Sequence, residues 1–354
     1  MKMSALTDKS HRGLVLALLA LAAALVVPFL TDDPSHLNLA ILALMAAQIG
    51  VAWNLLGGYA GQVSLGHVAF YGVGAYTSTL LLVKFGINPW LGTLAGALAA
   101  AVLSAGVGWS CFRLKGHYFT MATIAVAEIV QIVFTNWEYA GTAVGLTIPM
   151  DPQGLGAMVF ADKASYYWLA LGLLVVTLLA AFAVERSFLG YYFRAIKDEP
   201  DAARSIGVNI ALYKQVALSL SAFFTALGGS LYAQKELYID PGSVLSTALS
   251  IKMALVSILG GVGTLFGPVI GSLVLTAIEE LSRASFGGTG RGTDTVIYAG
   301  LIVVIAVFYP SGLIGWYQDR VRRWKARAEQ AKAAAVPAQA PTTHTSTSSS
   351  GVAP

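Results

Sequence analysis

The chain has 354 residues, 56% of them apolar and only 11% charged, with a formal net charge of +4. Soluble domains carry roughly 25% charged residues, so this composition excludes a soluble enzyme. The basic residues are not interleaved with aromatics on one polar face, which excludes a nucleic-acid partner as well.

Apolar runs of about 17 to 23 residues, the length needed to cross about 30 Å of hydrocarbon, recur along the chain. They predict an all-α, polytopic helical membrane protein of about ten transmembrane or re-entrant helices, at roughly 14–30, 38–56, 62–83, 90–112, 117–136, 166–184, 213–233, 244–260, 264–283 and 294–310. The first run follows Lys2, Lys9 and Arg12 as a signal peptide would. It lacks a small-x-small cleavage site before Asp32, Asp33 and Pro34, so an uncleaved helix is expected. Cys111 is the sole cysteine, and the five histidines (His11, His36, His67, His117, His344) have no metal-ligand spacing, so neither a disulfide framework nor a metal site is expected.

Between the second and third runs lies NLLGGYAGQVSLGHVAFYGVGAYTS, where six glycines from Gly57 to Gly74 mix with Asn54, Gln62, Ser64 and His67. Backbone freed from helix at membrane depth persists only where protein or water satisfies it, so such a break tends to line a cavity. The same glycines suit close helix packing. Ser64 and His67, three apart, could also form an intramembrane nucleophile pair, but no orienting carboxylate and no G-x-S-x-G accompany them. On the fifth run, Glu128 and Gln131 share a face expected to point into the bundle. The segment of about 137–165 is read as a loop from its turn chemistry.

Residues 185–214, ERSFLGYYFRAIKDEPDAARSIGVNIALYK, form a charged island between two apolar runs. A short helix is expected inside it: Asp198 as cap, Pro200 at the start, Asp201 near the positive end, Ala202 and Ala203 in the middle, and Gly207 as a left-handed stop. Such an element could dock a cytoplasmic protein or be a solvated loop with a helical turn. Further on, SILGGVGTLFGPVIGS places Gly260, Gly261, Gly263, Gly267 and Pro268 in a tight hinge between the eighth and ninth runs. No Gly-Lys-Ser/Thr follows, so the chain does not hydrolyse ATP by phosphate-loop chemistry. The two glycine-rich breaks occupy non-matching ranks and are not expected to be inverted-repeat mates. Lys252 reads as a snorkelling residue, and Glu279 with Glu280 as an interfacial pair. No series of acidic residues along the runs forms a proton relay, which disfavours an ion-coupled carrier.

With the amino terminus inside, sixteen of the 22 Lys and Arg fall in inner loops. Only Lys84, Lys163, Lys235, Arg283 and Arg291 lie outside, so both termini and residues 185–214 are expected in the cytoplasm. A membrane domain is expected over 1–315. Residues 316–354 turn basic (DRVRRWKAR) and then Ala/Pro/Ser/Thr-rich, the composition of a disordered cytoplasmic tail.

Four blocks, GYAGQVSLGHVAFYGVGAYTS, GHYFTMATIAVAEIV, RAIKDEPDAARSIGVNIALYK with LSAFFTALGGSLYA, and KMALVSILGGVGTLFGPVIGS, come in an order that resembles the LivM-like permeases of branched-chain amino acid ABC importers. The resemblance covers about 40–315. It implies an inner-membrane permease that moves amino acids delivered by a periplasmic or extracellular binding protein. It implies a second, related permease and two cytoplasmic ATPases that carry ATP and Mg, with no cofactor on this chain. It makes Arg194, Asp198, Glu199, Asp201, Ala202, Ala203, Arg204 and Gly207 the ATPase-docking residues. Asn54, Gln62, Ser64, His67 and Glu128 become candidates for the translocation path. Relatives that carry urea or short amides keep those solutes as alternatives.

Overall fold

The computed structural model describes residues 24–26, 28, 33–114, 116–150, 154–286, 300, 312–315 and 320. Residues 1–314 form one compact unit; of the second, 315–354, only Gly315 and Arg320 are described. The runs expected at 14–30 and 294–310 and the tail at 316–354 therefore lie almost wholly outside the described residues.

Eleven helices are described: α1 (Pro34–Asn54), α2 (His67–Phe85), α3 (Pro89–Cys111), α4 (His117–Asn136), α5 (Lys163–Arg186), α6 (Phe188–Asp198), α7 (Pro200–Ser205), α8 (Ile210–Glu236), α9 (Pro241–Val244), α10 (Thr247–Gly260) and α11 (Gly267–Phe286). A π-helical turn, Leu55–Tyr59, extends α1 without a break. Among the described residues, seven helical segments are long and apolar enough to span a membrane, with α9 and α10 counted as one. The chain is a multi-pass helical membrane protein.

Local chemistry sets where these helices start. Asp33 Oδ1 accepts from Ser35 N at 2.8 Å, Asn88 Oδ1 from Trp90 N at 2.9 Å, Asp162 Oδ1 from Ala164 N at 3.1 Å and Asn209 Oδ1 from Leu212 N at 3.1 Å. Such caps contribute about 1 kcal/mol each. The Ser35 N–H also holds the Asp33 carboxyl below its ordinary value. Pro34 and Pro89 follow their caps at positions where a helix needs no N–H.

The first half of the bundle is built on α8, which packs along α1, α2 and α3 through the small residues Ala217, Ala222, Ala226, Gly228 and Gly229. Small side chains let helix backbones approach where no hydrophobic drive separates protein from lipid. A Cβ on Gly74 would sit 2.3 Å from the Ala226 carbonyl oxygen, and one on Gly229 2.0 Å from that of Tyr71, so α2 and α8 touch backbone to backbone. By contrast, Leu98 and Val102 on α3, Ile129 and Ile132 on α4, and Val176 and Leu179 on α5 are exposed. In water such a surface would be an interface or a liability; on a membrane protein it is the face turned to lipid or to another membrane chain.

The segment 137–162 is less structureless than its turn residues imply. Two 3₁₀ turns lead into β1 (Leu146–Thr147), which pairs antiparallel with β2 (Tyr238–Ile239), Leu146 opposite Ile239. The ribbon closes because Tyr238 Oη donates to the Val144 carbonyl at 2.7 Å, and Trp90 Nε1 binds the Leu155 carbonyl at 2.8 Å.

Candidate functional site

The two glycine-rich breaks lie against each other. Asn54, 1% exposed, donates from Nδ2 to the Thr264 carbonyl at 3.0 Å and accepts at Oδ1 from Gly263 N at 2.9 Å. One side chain at the end of α1 thus satisfies two backbone groups in the turn between α10 and α11. Gly58, in the π turn, lies against the same loop: a Cβ there would fall 1.8 Å from Asn54 Oδ1 and 2.7 Å from Gly263 N. Gly263 has φ +79°, a left-handed conformation that a side chain would strain. π-helical turns are rare and frequently mark functional sites.

Lys197 joins this junction from α6, donating to the Gly58 carbonyl at 2.9 Å while its stem lies over Gly61. The charged island thereby reaches the π turn at the end of α1 directly. Within the island, Gly190, Phe193 and Ile196 of α6 are buried, whereas Phe188 and Tyr191 are exposed. That amphipathic helix extends through Asp198, so Asp198 does not cap the short helix. The N-cap of α7 is Glu199, in extended conformation and without a side-chain cap hydrogen bond, with Pro200 after it. Gly207, at φ +87°, does follow α7 in the left-handed conformation. Ala203, 3% exposed, packs with Ile196 and Val208, while Asp201, Ala202 and Arg204 are exposed. Arg194 folds back, its guanidinium donating to the Gly190 and Glu185 carbonyls at 3.2 and 2.9 Å.

His67 is fully buried between two serines. Its Nε2 lies 2.8 Å from Ser221 Oγ, and Ser221 gives its own proton to the Ala52 carbonyl at 2.7 Å. Ser221 therefore accepts from an Nε2–H, leaving Nδ1 to accept from Ser64 Oγ at 3.1 Å. Ser64 is fixed in turn, its carbonyl accepting Trp53 Nε1 at 2.7 Å. Ser221 went unread in the sequence because a lone serine in an apolar span carries no local signal. Gln62 is half-buried, its amide on the Ala60 carbonyl at 3.3 Å.

Glu128 does not point into the bundle. It is exposed, with Oε1 accepting from the Thr247 hydroxyl at the first residue of α10, where the helix dipole favours an anion. Most of α4 faces away from the core, which overrides the i, i+3 pairing with Gln131. Lys252, read as snorkelling, and Glu279, read as interfacial, bind each other at 2.6 Å. Gly260, Gly261, Gly263, Gly267 and Pro268 do form a tight turn: a Cβ on Gly260 would sit 1.7 Å from the Gly267 carbonyl oxygen. No cluster of metal-ligating side chains occurs among the described residues.

A multi-pass helical bundle with a charged helical appendage tied into a π-helical break is the architecture of a membrane permease subunit. Residues 35–306 match the family model of the branched-chain amino acid transport system permease component, and the chain belongs to that family. It is similar to LivM, a high-affinity branched-chain amino acid transport system permease protein of Escherichia coli (strain K12), at 28% identity over 344 residues, covering 90% of this chain and 78% of LivM. It is also similar to LivH of the same organism, at 26% identity over 284 residues, covering 76% of this chain and 91% of LivH. BraD of Pseudomonas aeruginosa, another permease of this kind, is 24% identical over 294 residues. Such permeases are transport subunits, not enzymes, and the Ser64–His67 pair, sealed in the core, agrees with that.

Proposed function

We propose that this chain is one of two permeases of an ATP-driven importer in a bacterial-type cytoplasmic membrane, moving branched-chain amino acids handed over by a binding protein on the outer side. The second permease is a related chain, since this one is similar to both LivM and LivH. Two ATPases on the cytoplasmic side bind ATP and Mg, and this chain needs no cofactor. The carrying observation is that α6–α7 bonds through Lys197 to the junction of both glycine-rich breaks. A docked ATPase moving this appendage would act on the break itself. Gln62 and Glu128 face the translocation path in this reading, with Asn54, Ser64 and His67 fixing its wall, and the turn from Gly260 to Pro268 serves as the hinge.

The test is uptake of leucine into vesicles carrying the complete complex. Uptake should require ATP inside the compartment where the ATPases sit; uptake driven by an ion gradient without ATP would sink the proposal.

The docking role divides the two alanines. Ala202 is exposed on α7, so Ala202→Glu should leave the permease folded and abolish copurification of the ATPase. Ala203 is buried against Ile196 and Val208, so Ala203→Glu should also unpack α7 from α6. Retained copurification in the Ala202 variant would count against docking here.

A further inference from the structure

The mechanism above makes no use of a cavity of about 250 Å³ on the half of the bundle opposite α6–α7. Its apolar wall includes Leu39, Leu42, Met45 and Ile49 of α1, and its polar side carries Lys252 of α10 with Glu279, Glu280 and Arg283 of α11, the last two paired with each other at 3.5 Å. The two charges meet at 2.6 Å, and each side chain is about one third exposed (31% and 33%), so both are reachable from the cavity.

We infer that this cavity is a subsite for a zwitterionic amino acid with an apolar side chain, its carboxylate held by Lys252 and its ammonium by Glu279. The inference rests on the transport function proposed above and adds a site to it. Charges at membrane depth are costly and as a rule face a cavity or pair with one another; these do both. A zwitterion entering between them replaces one charge-assisted bond with two and leaves no charge unpartnered. A cation or an anion alone would satisfy one partner and strand the other. The aliphatic wall of the same cavity accepts a branched side chain. At about 250 Å³ the space is smaller than the roughly 300–1,000 Å³ that holds drug-sized ligands. That suits one amino acid and not a peptide. With α6–α7 cytoplasmic, the cavity lies toward the outer side, where a delivered solute would arrive.

The competing role is a plain tie between α10 and α11, and one double variant separates the two. Replacing both members of an ion pair with apolar residues is often neutral for the fold. A tie therefore predicts that Lys252→Met/Glu279→Leu transports normally. The subsite predicts that it keeps its ATPase and its fold but loses leucine uptake about tenfold or more, the scale of a lost charge-assisted contact. Wild-type uptake by the double variant would overturn the inference.

A second readout needs no transport. Leu42→Cys places a thiol on the wall of the cavity, and the native Cys111 is buried. Leucine should slow labelling of the introduced thiol by an impermeant maleimide several-fold. Isoamylamine and isocaproate, each lacking one charge, should not, and the protection should vanish when the Lys252→Met/Glu279→Leu changes are added. Equal protection by the three compounds, or none by leucine, overturns the subsite. Protection by leucine in a complex that fails to transport it would sink the importer function and leave the subsite standing.

Discussion

Replacing Lys197 with methionine is expected to leave the permease folded and its ATPase bound, yet to cut ATP-driven leucine uptake about tenfold. Methionine keeps much of the stem that lies over Gly61 and removes only the donor to the Gly58 carbonyl. A hydrogen bond to a charged group is worth about 1.5–3 kcal/mol, and about 1.4 kcal/mol is one factor of ten in a rate. The Lys197–Gly58 bond is the direct polar link between α6 and the π turn, so losing it should uncouple the two rather than unfold either. Lys197→Arg should restore uptake in part, since the planar guanidinium carries the charge but is broader than an ammonium. The measurement is uptake against ATP hydrolysis in reconstituted complex. Hydrolysis near the wild-type rate with uptake reduced is the expected split; unchanged uptake would remove Lys197 from the coupling. The exposed Ala202 surface of α7 is untouched by the change, so copurification reports docking separately.

What was legible in the sequence follows from the range over which each signal acts. Apolar length is local, and the run expected at 117–136 coincides with α4, His117–Asn136. The short helix α7 was legible in Pro200 and Gly207, which act within a few residues of themselves. Asp198 failed as a cap because the Gly190, Phe193 and Ile196 spacing of α6, diluted among charges, carries helix up to and including it. The junction of Asn54, Gly58, Lys197 and Gly263 was invisible, because the hydrogen bonds that build it join residues 139 to 210 positions apart along the chain. No local pattern tells an asparagine at the end of a span that its partner is a carbonyl in a distant turn. Lys252 and Glu279 are only 27 apart, but their pairing depends on how α10 and α11 fold back on each other, and the rules for isolated charges gave each a different fate.

That fold-back is the basis of the second large effect. Gly260→Ala is expected to prevent a stable permease from accumulating, although it adds one methyl group. The added Cβ would sit 1.7 Å from the Gly267 carbonyl oxygen and 2.9 Å from Gly271 N, and both obstacles are backbone that cannot rotate aside. Gly271 is locked reciprocally, its own Cβ position lying 1.9 Å from the Val256 carbonyl oxygen. Relief requires α10 and α11 to separate, which would move the turn holding Thr264 and Gly263 away from Asn54. Overpacking alone costs about 1–3 kcal/mol. The two hydrogen bonds of the buried Asn54 would go with it, at about 1–3 kcal/mol for each group left unpaired. Against a total stability of about 5–15 kcal/mol, that sum leaves little margin. Gly172→Ala in α5 is the control: nothing lies within 4 Å of its added Cβ, so it should be neutral or gain up to about 1 kcal/mol from helix propensity. Thermal unfolding of the two variants in detergent, followed by monodispersity on a sizing column, reads the contrast. A Gly260 variant as stable as the Gly172 variant would mean that α10 and α11 can part without cost. The turn between them would then not be a clasp on Asn54.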